Sequence, residues 1–249
     1  MLKRIIIFYL VPLLIISCNS SKKNYLFKDS TKKYYVEINE SERNGSIDTL
    51  LTFYDFKDIS KVKELGFYKN GFRNDLWSYN LQFGIETIKW SYYKDENLNF
   101  ETNLFAKADS VKYSELSTKF LFRTELGEII LNITINGPLK DSVPLENYKK
   151  ITTRELENLG ANILLFESNK LDSSINDIYV NNLEIEMPST NDHIHIKSIF
   201  GFIEKDTFVE FSVSTSNIDN YLANILFDAV LTSFYLDGNM LYNPFDFEL

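Results

Sequence analysis

The sequence predicts an α+β protein whose first half is rich in strands and whose second half combines strands with two helices. Residues 34–117 contain short runs of β-branched and aromatic residues separated by polar turns, a pattern typical of a β meander. Residues 118–238 add two longer segments with helical periodicity. Hydrophobic residues make up 44% and aromatic residues 15% of the 249 residues, which is enough to build a buried core.

The chain begins with a predicted lipoprotein signal peptide, residues 1–17. Lys3 and Arg4 precede an apolar run that ends at Ile16 and is too short for a spanning helix, which needs roughly 20 apolar residues. Residues 15–18 read Ile-Ile-Ser-Cys and resemble the bacterial lipobox. The resemblance implies cleavage before Cys18, a diacylglycerol on its sulfur and an N-acyl chain on its new amino group. An ordinary signal peptide that happens to precede a cysteine is the alternative.

Residues 18–33 are predicted to form a lipidated tether. Cys18 is the single cysteine, so we expect no disulfide, no cysteine metal site and no cofactor besides the covalent lipid. The formal net charge of −9 argues against nucleic acid and anionic lipid as ligands, which leaves the lipid anchor as the membrane contact. Lipoproteins held in the inner membrane resemble each other in carrying Asp where this chain has Asn19. That difference favours the outer membrane, facing the periplasm, over the inner membrane or the cell surface.

Six strands are predicted in the β-rich region of residues 34–117: Tyr34–Ile38, Leu50–Phe56, Phe67–Lys69, Trp77–Phe83, Ile85–Tyr93 and Phe100–Ala106. Asn70-Gly71 is a strong hairpin signal, since both central residues of a type I′ turn need positive φ. Residues 66–79 resemble one MORN-type repeat, with aromatic residues at Tyr68, Trp77 and Tyr79. If these side chains are exposed, they form a surface that binds a protein partner.

The second half is predicted to follow the order strand, strand, helix, three or four strands, helix. Apolar residues recur at every second position of residues 129–135, as on the buried face of a strand. Pro144 and Gly160 bracket the first helix, and Ser216 is the expected N-cap of the second, which Gly238 closes. The predicted elements are Phe120–Glu125, Glu128–Ile135, helix Leu145–Leu159, Asn162–Glu167, Ile178–Met187, His193–Ile203, Thr207–Thr215 and helix Ile218–Tyr235.

This order resembles the PsbP-like fold, an α/β/α sandwich with an antiparallel sheet. Residues 178–185 and 200–209 are similar to two hairpins of that family, and residues 225–234 are similar to its final helix. Its members are mostly accessory and assembly factors, many of them secreted or lipid-anchored, so the resemblance implies binding more than catalysis. Residues 239–249 form a C-terminal tail that we expect to dock on the body as an extra strand, with a partner-binding peptide as the alternative.

His193 and His195 are the only histidines, and they are the candidate metal ligands. Two residues apart on a strand, they share one face, and Asp192 or Glu186 could complete a zinc site. The alternative is that both lie on the solvent face of an amphipathic strand. No nucleophile elbow, phosphate loop or dinucleotide motif occurs, so no catalytic residue is predicted.

Three hypotheses for function follow from these patterns. The leading one is a lipid-anchored, non-enzymatic envelope protein that acts as a binding or accessory and assembly module for an envelope protein partner. The second is a metal-dependent enzyme or binder that uses His193 and His195. The third is an interaction or immunity-type protein that uses the MORN-like face around Tyr68, Trp77 and Tyr79.

Overall fold

Alternating apolar and polar residues build the strands of this protein, as the computed structural model shows. Val36 and Ile38 are buried, whereas Glu37 and Asn39 beside them are half-buried, because successive side chains of a strand point to opposite faces. The structure describes residues 21–28, 33–43, 46–55, 57–82, 84–105, 109–124, 127–136, 145–171, 177–203, 207–216 and 220–242. Cys18 and the predicted signal peptide lie outside these residues.

The first sheet is formed mainly by the β-rich first half. Its first seven strands follow one another along the chain, and every neighbouring pair is antiparallel. The first of them lies within the predicted tether. The strands are β1 (Ser21–Lys28), β2 (Lys33–Arg43), β3 (Ser46–Asp55), β4 (Asp58–Lys69), β5 (Phe72–Leu81), β6 (Gly84–Asp95) and β7 (Phe100–Phe105).

The hairpin between β4 and β5 has the turn that the sequence predicts. Asn70 and Gly71 have φ values of 52° and 82°, as a two-residue type I′ turn requires, and Lys69 pairs with Phe72 across it. Gly66 on β4 has no Cβ, which leaves room for the Trp77 ring directly against the backbone. The aromatic side of this hairpin therefore packs inward.

The second sheet contains the remaining long strands, again all antiparallel, in the order β11-β12-β13-β14-β10-β9-β8. One helix packs on its outer face, where Tyr148 stacks on Phe200 with ring centroids 3.9 Å apart. The elements are β8 (Asp109–Ser114), β9 (Ser117–Thr124), β10 (Gly127–Asn136), α1 (Leu145–Asn158), β11 (Asn162–Lys170), β12 (Asp177–Met187), β13 (Asp192–Ile203) and β14 (Thr207–Ser216).

Helix α2 (Tyr221–Leu231) packs on the inner face of the second sheet and against the first sheet. Phe227 contacts Phe211 of β14, and Phe234, which follows the helix, stacks on Phe100 of β7. All four of these side chains are fully buried. Side chains of both sheets and of α2 thus form one hydrophobic core.

The second helix is shorter than predicted. It begins after Asn220, not after Ser216, which is the last residue of β14, and Asn220 makes no side-chain cap. Thr232 ends it, because the chain turns back there to form β15 (Tyr235–Leu236) and β16 (Asn239–Met240). Gly238, with φ of 78°, lies in the turn between those strands and not at the helix end.

The short hairpin β15–β16 joins the first sheet through β7, so residues from both ends of the chain share that sheet. The predicted domain boundary at residues 117 and 118 lies at the start of β9, and β8, before it, already belongs to the second sheet. The described chain is an α+β protein, mostly antiparallel β with two helices, which confirms the predicted fold class. Among the described residues, neither helix is long and apolar enough to cross a membrane.

Candidate functional site

A row of polar side chains crosses the outer face of the second sheet. The pairing of six neighbouring strands places these residues side by side, one from each strand, on the face that carries α1. We call this row the polar stripe. From β11 to β9 it consists of Ser168, Asn181, Ser198, Ser212, Asn132 and Lys119.

Half of the polar stripe is open and forms the floor of a groove. The groove has a volume of about 350 Å³ and lies over β9, β10 and β14, beside α1. Its size is near the lower end of the range for small-molecule sites, about 300–1,000 Å³. Every lining side chain can form hydrogen bonds: Ser117, Lys119, Asn132, Thr134, Glu210 and Ser212.

Glu210 and Tyr148 close the groove on the side of α1. The Tyr148 hydroxyl donates to Glu210 Oε1 at 2.8 Å. Burial raises the pKa of the Glu210 carboxyl, an effect that the hydrogen bond from Tyr148 opposes and the charge of Glu155 reinforces. Burial also raises the pKa of Tyr148, and the nearby Glu210 raises it further. A half-buried carboxyl with a raised pKa at the edge of a groove is a common mark of a functional site.

The other half of the polar stripe lies beneath α1. Asn181 is fully buried and its amide nitrogen donates to Ser198 Oγ at 3.3 Å. Its Oδ1 atom accepts no hydrogen bond from any described residue, and the buried Ser168 Oγ likewise has no partner among the residues that the structure describes. Buried polar atoms are nearly always paired, so two neighbouring exceptions in one row need an explanation.

A second polar cluster lies inside the core and has a structural explanation. The guanidinium of Arg73 on β5 lies 4.8 Å from the ring centre of Trp77, and its Nη1 donates to Thr232 Oγ1 at 2.9 Å. Nη2 lies 3.9 Å from a carboxylate oxygen of Glu64. These contacts tie the first sheet to the end of α2. The cluster therefore holds the two parts of the core together.

Asn103 on β7 links the same region through the backbone. Its Oδ1 accepts from the Arg73 amide at 2.7 Å, and its Nδ2 donates to the Arg73 carbonyl at 2.8 Å. Its own amide donates to Ser233 Oγ at 3.0 Å. Since β6 pairs with β5 only from Asp75 onward, the Asn103 side chain takes the place of a neighbouring strand at Arg73.

Tyr68, Trp77 and Tyr79 are buried, with exposed fractions of 3%, 0% and 2%. The hypothesis of a partner-binding MORN-like face needs these side chains on the surface, and the structure corrects that expectation. The reason is that this aromatic side of the hairpin faces the core shared with α2, where Arg73 lies over the Trp77 ring and donates to Thr232 at the end of the helix. These residues therefore support the fold.

His193 and His195 share one face of β13, as their spacing predicts, opposite Glu186 and Glu184 of β12. His193 is exposed, whereas His195 is half-buried, and His195 Nδ1 lies 3.9 Å from Glu184 Oε1. Burial lowers the pKa of His195, and the charge of Lys197 lowers it further. Within the described ranges, no three His, Cys, Asp or Glu side chains come together as metal ligands.

Sequence reasoning missed the polar stripe. One signal was available: in each strand, polar residues alternate with buried apolar ones. Glu210 and Ser212, for example, lie between buried residues of β14. Alternation tells which residues share a face but not the register between strands, and the register is what aligns the stripe.

The comparisons with known proteins add little to this geometry. No protein-family model and no curated protein matches the chain. A solved structure, that of PA94 from Pseudomonas aeruginosa, a protein of unknown function and proposed regulator, matches with a TM-score of 0.35 and 9% identity. The match covers 64% of this chain and 96% of that one. A similarity at this level carries no argument about fold or function.

Proposed function

We propose that this protein is a lipid-anchored, non-enzymatic binding module of the cell envelope, and that the groove over β9, β10 and β14 is its ligand site. The observation that carries the proposal is the groove itself, a concave surface whose six lining side chains are all polar. Ligand sites are concave, and the polar groups that converge in them fix the orientation of the ligand and provide specificity.

The chemistry of the groove favours binding over catalysis. Its lining offers hydroxyls, one amide and one amine, and only one carboxyl, Glu210. Acid–base pairs in hydrolases use two carboxyls, or a carboxyl with a histidine, and neither pair is found in the described lining. We therefore assign these groups to recognition.

The fold-level part of the proposal is that residues 118–238 have a PsbP-like arrangement. Its support is an antiparallel sheet with α1 on the outer face and α2 on the inner face. Such an arrangement suits an accessory or assembly factor, and the proposed partner is another envelope protein. The lipobox at residues 15–18 and Asn19 support a position at the outer membrane, facing the periplasm.

The anchor is tested by labelling cells that produce the full chain with an alkyne analogue of palmitate. Cys18 is the only cysteine, so label in the wild-type protein and none in Cys18→Ser is the expected result. The matched control, Ser20→Ala, is expected to label normally. An unlabelled wild-type protein, or a labelled Cys18→Ser variant, would contradict lipidation at this residue.

The groove is tested by a ligand-observed NMR screen of polar fragments against the chain from residue 19 onward. Thr134→Phe is expected to abolish binding because the ring fills the groove, and Thr87→Phe, on an exposed strand position of the first sheet, is the matched control. Amide shifts of the wild-type protein should move at Asn132 and Ser212. Binding that maps elsewhere, or that survives Thr134→Phe, would refute the site.

A further inference from the structure

The polar stripe has a regular spacing across the sheet. Neighbouring strands lie about 4.8 Å apart, so one polar side chain is offered every 4.8 Å along a line perpendicular to the strands. A peptide that adds to a sheet lies parallel to the strands at an edge, whereas this line crosses them. The spacing is close to the length of one sugar unit in an extended oligosaccharide.

The groups in the stripe are mostly uncharged and can both donate and accept. Ser198, Ser212 and Ser168 are hydroxyls, and Asn181 and Asn132 are amides, the groups that pair well with sugar hydroxyls. Among the described lining residues, Lys119 is the only basic one, and Glu210 lies beside the stripe, so a phosphate or another anion is poorly matched. An apolar ligand would displace water from this polar lining and offer it no hydrogen bonds in return.

The unpartnered atoms indicate where one end of the ligand lies. Asn181 is fully buried, and its Oδ1 has no donor among the described residues, although it faces α1 in the same row as the groove floor. None of the described side chains of α1 is fully buried, whereas six side chains of α2 are, so α1 is the helix better able to lift. A ligand hydroxyl that enters past Tyr148 would pair with Asn181 Oδ1.

We propose that the groove binds an extended, uncharged oligosaccharide that lies across β9, β10 and β14 with one end toward Asn181. This inference rests on the proposed function, because it names the ligand class of the same groove. The hydroxyls of successive sugar units would meet Lys119 and Asn132, then Ser212, and then the residues under α1. The small volume of the groove limits the bound part to a short oligosaccharide.

Saturation-transfer NMR and calorimetry with cellobiose and N,N′-diacetylchitobiose, here called chitobiose, test the proposal on the chain from residue 19 onward. Both disaccharides are extended and uncharged, and binding of at least one is expected. Asn132→Ala should weaken that binding about tenfold, the effect of losing one good hydrogen bond. Asn74→Ala, an exposed asparagine on β5, is the matched control and should bind as the wild type does. Melting temperatures confirm that both variants are folded.

Glucose 6-phosphate is the competing probe. If it binds more tightly than cellobiose and chitobiose and Asn132→Ala weakens it, the groove is an anion site, which refutes the sugar class but leaves the proposed function intact. If neither disaccharide binds, or if Asn132→Ala and Asn74→Ala behave alike, the sugar proposal is overturned. If, in addition, no fragment of the polar screen binds the groove, the proposed function fails with it.

Discussion

Replacing Asn103 with alanine is expected to destabilise the protein strongly, although Asn103 belongs to no proposed ligand site. The side chain is fully buried and makes two hydrogen bonds to the backbone of Arg73, at 2.7 and 2.8 Å. Alanine removes both partners at once. Since β6 pairs with β5 only from Asp75 onward, no strand among the described residues pairs with Arg73 on that side and could replace them.

The magnitude follows from the two backbone groups that are left unpaired. Each buried N–H or C=O without a partner costs about 1–3 kcal/mol, so Asn103→Ala is expected to lower the free energy of unfolding by about 2–6 kcal/mol. That loss is a large part of the 5–15 kcal/mol that is typical of a folded domain. Asn103→Asp keeps an acceptor for the Arg73 amide but places a carboxylate against the Arg73 carbonyl, so we expect it to be at least as harmful.

The assay is urea unfolding of the chain from residue 19 onward, followed by the fluorescence of the two tryptophans, Trp77 and Trp90, which are both buried. The control is Asn74→Ala, an exposed asparagine that should change the unfolding free energy by less than about 0.5 kcal/mol. The comparison is valid if the m-values agree. A loss below about 1 kcal/mol in Asn103→Ala would mean that Arg73 finds other partners and would refute the reasoning.

Three further predictions concern the core, the groove edge and the helices. Trp77→Ala should cost about 3–5 kcal/mol in urea unfolding, whereas Leu76→Ala, on the same strand and 55% exposed, should cost little; equal effects would contradict the burial of Trp77. Burial raises the pKa of Glu210 above its usual 4.5, so the folded state binds its proton more tightly than the unfolded state and stability falls as pH rises above 4.5. Glu210→Gln, which still accepts the hydrogen bond from Tyr148, should therefore raise the melting temperature near neutral pH and have no such effect below pH 4.5. A lower melting temperature of the variant near neutral pH would refute the expected direction of the pH dependence. In hydrogen exchange, the amides of α1 should exchange faster than those of α2, because six side chains of α2 are buried whereas no described side chain of α1 is buried. Equal protection of the two helices would contradict the proposal that α1 can lift from the sheet.

Local signals were sufficient for the elements with strong local chemistry. Asn70-Gly71 dictates its hairpin because few other pairs accept two positive φ values, and both residues have them. The first helix was predicted to span Leu145–Leu159 and ends one residue earlier, at Asn158. Alternation likewise identified the buried face of β10, where Ile129, Leu131 and Ile133 are all in the core.

Features that depend on distant parts of the chain could not be predicted in this way. The sequence predicts that the second helix extends to Tyr235, because Phe234 continues its apolar stripe. Phe234 is instead buried against Phe100 of the first sheet, and β15 pairs with β7. A periodic pattern shows that a residue is buried but not which partner buries it. The same limit explains why the sequence leaves open whether Trp77 is exposed or buried.

The two polar clusters differ in which groups pair with their buried polar atoms, and this difference supports the proposed ligand site on the second sheet. Arg73 Nε also lacks a conventional partner among the described residues, but its guanidinium lies 4.8 Å from the Trp77 ring and 5.8 Å from the Trp90 ring. Aromatic faces attract such a cation, so the core compensates it without any ligand. Asn181 Oδ1 is a hydrogen-bond acceptor, and the negative face of an aromatic ring cannot donate a hydrogen bond to it. Its row continues into an open groove, and a donor from outside the chain can pair it.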